Sequence, residues 1–400
     1  MARNPLQDKL AVVGLGSTPY GRDLECSHLS LGLEAAVAAI RDAGIDKQEI
    51  DGICGSGMTP LAQGQAGFLS LQGSLGIERI TWGLNSWLGS AFVHAAIAVF
   101  SGLCDTVLVV QTYMREPGMS RSAAADPFRR AIGKFGDVGG DIGSRDFAKR
   151  WVHSGEPYAA WMKRYMHDYG VSKDAFAYMA VNNRSHASRN PAAVMQNPIT
   201  LDDYHASRMI WEPMQICDMD VPVDCAEAHI ITTAERAKDL PHKPVHIHAM
   251  SLGGTRVGEY YENTLGWTEN SHWVAAKGLW DRSELTLPDV DIFFPYDGYT
   301  SDAVGVVEAV GYCKPGEAGD FLRQSFDPFS QTLKLNGRTE VTTHGGGLGQ
   351  GRAGGANFYS EAVRQLRGQE GSRQVDGAKA ALINIGSFFH DPSAVMLRVD

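Results

Sequence analysis

The residues best suited to chemistry lie in a glycine-rich run near the end of the chain, THGGGLGQGRAGG. Seven glycines fall between Gly345 and Gly355, and such a run lets the backbone approach a ligand closely. A helical pattern follows at once, so its free N–H groups are expected to point back at the run. His344 and Arg352 are the side chains in it that could donate from a cation. We therefore expect Gly345, Gly346, His344 and Arg352 to form a ligand site; a glycine-packed contact between sheets is the alternative.

A second candidate is the segment FFPYDGYTSDAV, where a predicted strand ends and a helix begins. It places Tyr296, Asp297 and Tyr299 outside the carboxyl end of a strand, where ligands bind in open α/β sheets. We interpret Tyr296 as catalytic. Asp297 is either a second catalytic group or the N-cap of the helix, and the pattern does not separate these two roles.

Three further segments contain turns that could bind a ligand. GLNSWLGSAF would present Ser86 at a helix N-terminus, although Ser86 could equally be an N-cap. NIGSFFHDP places Gly386 and His390 before the last strand, where His390 is either catalytic or stacked on the preceding phenylalanines. GLGSTPYG suggests a dinucleotide fingerprint, but Pro19 replaces its third glycine and obstructs the helix. A simple turn from strand to loop is the favoured interpretation there.

The elements that must position these segments alternate between strand and helix. KLAVVGLG, EIDGICGS and DTVLVVQTY predict buried strands, with LSLGLEAAVAAIRDAGI and SAFVHAAIAVFSG as helices between them. Helices between strands imply right-handed crossovers and a parallel or mixed sheet covered on both faces. The chain is therefore predicted to be an α/β protein.

The two ends of the chain look like copies of each other. DAGIDKQEIDGICGS and WDRSELTLPDVDIFFPYDG both run from a helix through an acidic turn into a strand, at a spacing of about 240 residues. We predict two duplicated halves, residues 1–113 and 222–400, with a mostly helical insertion at 114–221. Such an insertion often forms the lid or wall of an active site.

Composition and charge exclude several classes of function. The chain has 400 residues and a net charge of -10, so it offers no basic face for nucleic acid. No apolar run reaches the ~18 residues of a membrane span, and the N-terminus lacks a signal core. The six cysteines are scattered without a CxxC pair. We therefore expect a cytoplasmic protein with neither disulfides nor a metal site.

Together these segments resemble the thiolase superfamily, and in particular its lipid-transfer-protein branch related to the sterol carrier thiolases. The resemblance rests on the duplicated halves, the insertion, the VPVDCAEAHIITTAERAKDL strand and helix, and the closing glycine motifs. It implies a five-layered αβαβα fold, a homodimer and acyl-CoA thioester substrates. Coenzyme A would enter as part of the substrate, with no tightly bound cofactor.

The resemblance also implies where thiolase chemistry would lie, and each of those positions has changed. A thiolase uses a nucleophilic Cys, an Asn or His, a further His, and a second Cys. These positions fall at Ser86, Tyr296 and Arg352, and at or next to Gly386. An unassisted serine hydroxyl is a far poorer nucleophile than a thiolate, so we do not expect thiolase activity.

The pattern is more similar to the thiolase-like aldolases of steroid side-chain degradation, which carry a tyrosine in the YDG motif. These enzymes split a β-hydroxyacyl-CoA into a ketone or aldehyde and a short acyl-CoA, and they work with a small OB-fold partner bearing a zinc ribbon. The resemblance implies Tyr296 as base or proton relay, with Arg352 and His344 lowering its pKa or lining the enolate site. Their second tyrosine is replaced by Arg352, so Tyr299 or Tyr359 could supply that phenol.

Two other functions stay open at this point. The first is a C–C acyltransferase of the same fold, which would form a covalent acyl-enzyme. The second is a non-catalytic subunit that holds a lipid or CoA ester for a partner, which would bind its ligand without turnover. A retro-aldolase acting on a bulky steroid or aromatic acyl group is the favoured prediction.

Overall fold

Fourteen strands and twelve helices are assigned in the computed structural model, which describes residues 4–56, 66–114, 156–254, 266–386 and 392–400. The strands are β1 Leu10–Ser17, β2 Gly52–Ser56, β3 Trp82–Ser86, β4 Thr106–Tyr113, β5 Met209–Trp211, β6 Met214–Gln215, β7 Cys225–Thr233, β8 Val245–Leu252, β9 Ile292–Phe294, β10 Phe326–Asp327, β11 Thr332–Leu335, β12 Thr339–Val341, β13 Ala380–Ile385 and β14 Ser393–Arg398. The helices are α1 His28–Ala43, α2 Phe68–Leu75, α3 Leu88–Phe100, α4 Glu156–Tyr169, α5 Asp174–Ser188, α6 Leu201–Ala206, α7 Ala234–Ala237, α8 Ser271–Trp280, α9 Thr300–Ala309, α10 Ala318–Ser325, α11 Gly346–Gly349 and α12 Ala356–Arg367.

Two five-stranded sheets with the same strand order form the centre of the molecule. The first runs β3-β2-β4-β7-β1 and the second β12-β9-β13-β14-β8. In each, the first two pairings are parallel and the last two antiparallel. The sheets join edge to edge where β1 pairs with β8, and the β10–β11 hairpin extends the second sheet beyond β12. The repeated order and direction confirm the predicted duplication.

Strand β7 corrects one predicted boundary. The sequence assigned it to the second half, which was predicted to begin at residue 222. In the structure β7 pairs with β4 from Tyr113↔Cys225 to Thr106↔Thr232, and its other edge pairs with β1. The chain thus returns from the insertion to the sheet it had left, and the second repeat begins with β8.

Buried side chains divide the fold into layers. Helices α1 and α2 pack on the outer face of the first sheet, and α3 and α12 pack between the two sheets. Helices α8 and α9, with the insertion helices α4 and α5, cover the outer face of the second sheet. Alternation along β9 shows the two faces, because Ile292 and Phe294 point to the middle layer and Phe293 to the outer one. The order helix, sheet, helix, sheet, helix is the five-layered fold that was predicted.

The insertion is anchored to the second half by buried carboxylates. Its described part, residues 156–221, is mostly helical, while residues 115–155 lie outside the described ranges. Glu308 of α9 accepts hydrogen bonds from the Tyr165 hydroxyl and from the Trp267 indole. Asp218 accepts one from the Thr300 hydroxyl at 2.6 Å. Among the described helices, none combines the length and apolar character needed to cross a membrane.

Candidate active site

The carboxyl ends of two neighbouring parallel strands bring the predicted motifs together. Strands β9 and β12 pair in parallel, with Val341 opposite Phe293. Beyond β9 the chain continues into Tyr296 and Asp297, and beyond β12 it enters the glycine-rich run. Because parallel strands end at the same edge of a sheet, the two motifs meet where ligands bind in α/β folds.

The Asp297 side chain links the strand-end motif to the glycine-rich run by hydrogen bonds. Its carboxylate accepts hydrogen bonds from the backbone N–H of Gly347 at 2.8 Å and of Leu348 at 3.1 Å, and from Asn183 Nδ2 at 2.6 Å. Burial raises the pKa of Asp297 to about 7, although these donors act to lower it. The N-cap of α9 is Tyr299, so Asp297 is not the helix cap, and its buried carboxylate positions the glycine run.

Gly345 and Gly346 pack closely against neighbouring elements, and their predicted role in binding the ligand stays a prediction. Both are buried. A Cβ on Gly345 would lie 2.6 Å from Cβ of Ala187 on helix α5, and a Cβ on Gly346 would overlap the Asp297 carboxylate. These two glycines therefore allow close packing against the insertion and against Asp297.

A third segment, residues 219–223, passes between the two motifs and is held by backbone hydrogen bonds on both sides. The N–H of Asp220 donates to the Gly298 carbonyl at 3.1 Å, and the N–H of Val221 donates to the Gly347 carbonyl at 2.9 Å. The N–H of Arg352 donates in turn to the Val221 carbonyl at 2.8 Å. The segment thus brings the Asp220 carboxylate to the site, with Oδ2 3.5 Å from Arg352 Nε. Sequence reasoning missed Asp220 because its acid-rich stretch, DMDVPVD, has no catalytic spacing.

Tyr296 is a protonated phenol in this setting. It is 9% exposed, and burial together with the charge of Asp220 raises its pKa well above 10, against the lowering effect of Arg352. Of the two roles predicted for Tyr296, base or proton relay, the raised pKa favours the proton relay. Arg352 keeps its charge because Asp220 raises its pKa, and its side chain is 46% exposed.

Tyr113, at the end of β4, is a second phenol that the sequence analysis did not identify. Its hydroxyl donates to Gln111 Oε1 at 2.8 Å and occupies the space over Gly354, where a Cβ would overlap it. Its charge, when ionised, acts on both Tyr296 and Arg352. The apolar strand DTVLVVQTY ends in this tyrosine, and its place at a strand end is the signal that could have found it.

The two tyrosines suggested as a second phenol occupy different places. Tyr299 stacks on Tyr158 of the insertion with ring centroids 4.0 Å apart, and it acts electrostatically on Arg352. Tyr359 stacks on Phe92 at 4.0 Å inside the middle helical layer. Tyr299 therefore borders the site, whereas Tyr359 is part of the core.

His344 and Tyr296 both pack near the ring of Phe358. The His344 ring packs against Phe294 at 5.6 Å and against Phe358 at 5.1 Å, and Tyr296 lies 6.4 Å from Phe358. Burial lowers the pKa of His344 to about 3. A neutral His344 does not supply a cation to Tyr296, so its other predicted role, lining the enolate site, stays a prediction.

The helix N-terminus that carries the nucleophile in thiolases presents a leucine. Ser86 is the last residue of β3, and its Oγ lies 3.1 Å from Ser90 Oγ. Helix α3 begins at Leu88, whose φ of 49° is unusual for a side chain other than glycine, and Leu88 Cδ2 lies beside Gly354. Ser86 thus lies two residues before the helix, and Leu88, the first residue of the helix, has no nucleophilic atom.

The nearby cysteine and the C-terminal segment add no nucleophile among the described residues. The Cys54 thiol receives a hydrogen bond from the Ser86 backbone, yet burial raises its pKa to about 12. Gly386 ends β13 beside Ile385, which packs over Gly355. His390 lies outside the described residues. Within those residues, no cluster of three or more His, Cys, Asp or Glu side chains could hold a metal ion.

The repeated sheets, the five layers and the site at the carboxyl edge define a thiolase fold without a thiol nucleophile. Residues 260–398 match the family model described as thiolase C-terminal domain-like. A solved structure described as the Ltp2-ChsH2(DUF35) aldolase superposes with a TM-score of 0.81 at 27% identity, covering 99% of each chain.

Two curated relatives narrow the assignment. The chain is 30% identical to the 17-hydroxy-3-oxo-4-pregnene-20-carboxyl-CoA lyase of Mycobacterium tuberculosis, over 96% of this chain and 97% of that protein. It is also 30% identical to the steroid side-chain-cleaving aldolase of Thermomonospora curvata, over 90% of both. The chain therefore belongs to the family of thiolase-like steroid side-chain aldolases. This confirms the predicted family and the predicted class of enzyme, a carbon–carbon lyase.

Proposed function

We propose that this protein is a retro-aldolase that cleaves a β-hydroxyacyl-CoA into a ketone or aldehyde and a short acyl-CoA. One observation carries the proposal: helix α3 begins with Leu88, which has no nucleophilic atom, while Tyr296, Asp220 and Arg352 gather at one edge of the sheet. A retro-aldol cleavage needs a base, a proton donor and stabilisation of an enolate, and it needs no covalent acyl intermediate.

The side chains supply groups suited to these tasks. A base removes the proton of the β-hydroxyl, the Cα–Cβ bond breaks, and the thioester enolate that forms is protonated at Cα. Tyr296 is protonated at neutral pH, so it serves as the proton donor or relay. The exposed, charged Arg352 would stabilise negative charge on the thioester oxygen or bind the phosphates of coenzyme A.

The acyl group is proposed from the relatives. Both curated relatives are named for steroid side-chain cleavage, so we propose a bulky steroid or aromatic acyl group. Coenzyme A would enter as part of this substrate, and no tightly bound cofactor is required by the chemistry. The six free cysteines suit the reducing cytoplasm, where we propose that the enzyme works.

Cleavage of a synthetic β-hydroxyacyl-CoA with a bulky ring substituent tests the proposal. Chromatography should detect the short acyl-CoA with the natural chain, and Tyr296→Phe should lower kcat by about 10²–10⁴. Ser86→Ala is the matched control and should keep the natural rate. Full activity in Tyr296→Phe would refute the mechanism. A covalent acyl-enzyme seen by mass spectrometry would instead support an acyltransferase, and binding without turnover would support a non-catalytic subunit.

A small OB-fold partner with a zinc ribbon is part of the proposal. The solved structure with a TM-score of 0.81 is described as the Ltp2-ChsH2(DUF35) aldolase, a description that joins two names and supports this part of the proposal. We expect such a partner to co-purify with the chain when both are expressed together and to raise kcat/KM for the CoA ester. Unchanged kinetics in the presence of excess partner would argue against its role.

We propose a homodimer through strand β3, which among the described strands is the edge of the first sheet. An unpaired edge is a template for pairing. Ile97, Phe100 and Leu103, at and after the end of α3, are exposed. Sedimentation velocity should give a dimer for the natural chain and a monomer for Phe100→Asp; an equal mass for both would contradict this interface.

A further inference from the structure

Asp220 is a part-exposed carboxylate at the centre of the candidate active site. Backbone hydrogen bonds fix it, since its own N–H donates to the Gly298 carbonyl and the next N–H donates to the Gly347 carbonyl. Met219 also pairs with Tyr299 in an antiparallel bridge. Asp220 therefore sits at a set position between the strand-end motif and the glycine run, whatever its side chain.

The surroundings of its side chain are those of a base that a substrate can reach. The carboxylate is 15% exposed, and its Oδ2 lies 3.5 Å from Nε of the half-exposed Arg352. In the strand-end motif, the charge of Asp220 raises the pKa of the Tyr296 phenol and of the Asp297 carboxyl. Burial raises the pKa of Asp220 to about 6, against the lowering effect of Arg352. Asp220 is thus ionised at neutral pH yet more basic than an ordinary aspartate.

The other groups of the site are less suited to take a proton. Tyr296 already carries its own proton, and buried Asp297 is occupied by three N–H donors. His344 is buried, packs against Phe358, and has a pKa that burial lowers to about 3. Among the described groups around Tyr296, Asp220 alone has an oxygen able to accept a proton, is ionised at neutral pH and is partly accessible to solvent.

We propose that Asp220 is the catalytic base of the retro-aldol cleavage and that Tyr296 is the acid that protonates the enolate. This inference rests on the proposed function and adds the identity of the base. Arg352 favours the ionised form of Asp220, because its charge lowers the pKa of that carboxyl.

The proton balance of the reaction closes without any external reagent. The Asp220 carboxylate takes the proton of the β-hydroxyl, the carbonyl C=O forms, and the Cα–Cβ bond breaks with its electron pair moving into the thioester enolate. The enolate Cα then takes the proton of the Tyr296 hydroxyl. The resulting phenolate recovers a proton from the Asp220 carboxylic acid, which restores both groups for the next turnover.

The test compares pH–rate profiles of the natural chain, Asp220→Asn and Asp220→Glu. For the natural chain we expect kcat/KM to fall below about pH 6, with the loss of the ionised base. Asp220→Asn should lower kcat by about 10²–10⁴ with little change in KM and without that acid limb. Asp220→Glu should restore part of kcat together with the acid limb. Asp202→Asn, an exposed aspartate on α6, is the matched control and should behave as the natural chain.

The outcomes separate this inference from the proposed function. If the natural chain cleaves no β-hydroxyacyl-CoA, with or without its partner, the proposed function fails first. If it cleaves the substrate but Asp220→Asn keeps the natural kcat, or raises KM alone, only the assignment of Asp220 is overturned. A natural pH profile that stays flat from pH 8 to 5 would overturn it as well, and this measurement does not depend on how any variant folds.

Discussion

Replacing Gly346 by alanine should destabilise the fold by an amount that can be worked from its surroundings. Gly346 has a φ of 60°, and left-handed backbone costs a residue with a Cβ about 1–2 kcal/mol. The new Cβ would also lie 2.7 Å from Asp297 Cγ and 2.8 Å from Thr342 Cγ2. Such overpacking costs about 1–3 kcal/mol, so the free energy of unfolding should fall by about 2–5 kcal/mol.

Gly371→Ala is the matched control for this substitution. Gly371 has a φ of 56°, but nothing lies within 4 Å of a Cβ placed on it. It should therefore lose only the backbone strain, about 1–2 kcal/mol. Urea unfolding followed by tryptophan fluorescence measures both variants, and the difference between them isolates the contact with Asp297.

The same pair of variants distinguishes a packing role for Gly346 from a ligand-binding role. If Gly346 faced the ligand, Gly346→Ala would unfold at the same urea concentration as Gly371→Ala and would lose binding of the CoA ester, measured by calorimetry. That combination would refute the packing argument. A larger loss of stability than in the control supports it.

Four further results are expected. Ser86→Ala should change the free energy of unfolding by about 1 kcal/mol or less and leave kcat unchanged in the cleavage assay. Glu308→Gln should cost about 2–4 kcal/mol in urea unfolding, because the amide would face donors from Tyr165, the Trp267 indole and two backbone N–H groups. With a thiol pKa of about 12, Cys54 should react with iodoacetamide at pH 8 about 10³-fold more slowly than free cysteine, as peptide mapping would show. Burial lowers the pKa of His186, His229 and His344 to about 3, below the unfolded value of 6.5. The stability that these neutral histidines contribute is complete above pH 6.5 and is lost as the pH falls, by about 2 kcal/mol each at pH 5. Urea unfolding across pH 5–8 measures this loss.

The fold could be predicted because its signals are local. Strands β2 and β9 each follow an acidic turn after a helix, and that pattern can be recognised in the sequence without knowing which strands pair. Strand β7 was assigned to the wrong half because the sheet that a strand joins depends on long-range pairing. Nothing in its sequence distinguishes pairing with β4 from pairing with β14.

The site was predicted only where one motif supplies both the residue and its position. Tyr296 directly follows a strand end, so its position at the edge of the sheet could be predicted from the sequence. Asp220 and Tyr113 reach the site from other parts of the chain, which no spacing encodes. The sequence analysis placed Ser86 at this helix N-terminus because of its hydroxyl. Helix α3 begins instead at Leu88, whose positive φ could not be predicted from its residue type. The charge of His344 depends on its burial, and the surrounding glycine-rich sequence does not indicate whether this side chain is buried.

The geometry of the site explains how a thiolase fold can carry lyase chemistry. The three segments that meet there are joined by main-chain hydrogen bonds, from Asp220 to Gly298, from Val221 to Gly347 and back from Arg352 to Val221. Main-chain bonds do not depend on side-chain identity, so the side chains at these positions can change while the backbone keeps its place. Helix α3 begins with a leucine, which cannot form an acyl-enzyme, and we propose that Asp220 and the protonated Tyr296 provide the base and acid that retro-aldol cleavage requires. A few side chains at the site can thus change the reaction while the backbone keeps the same arrangement.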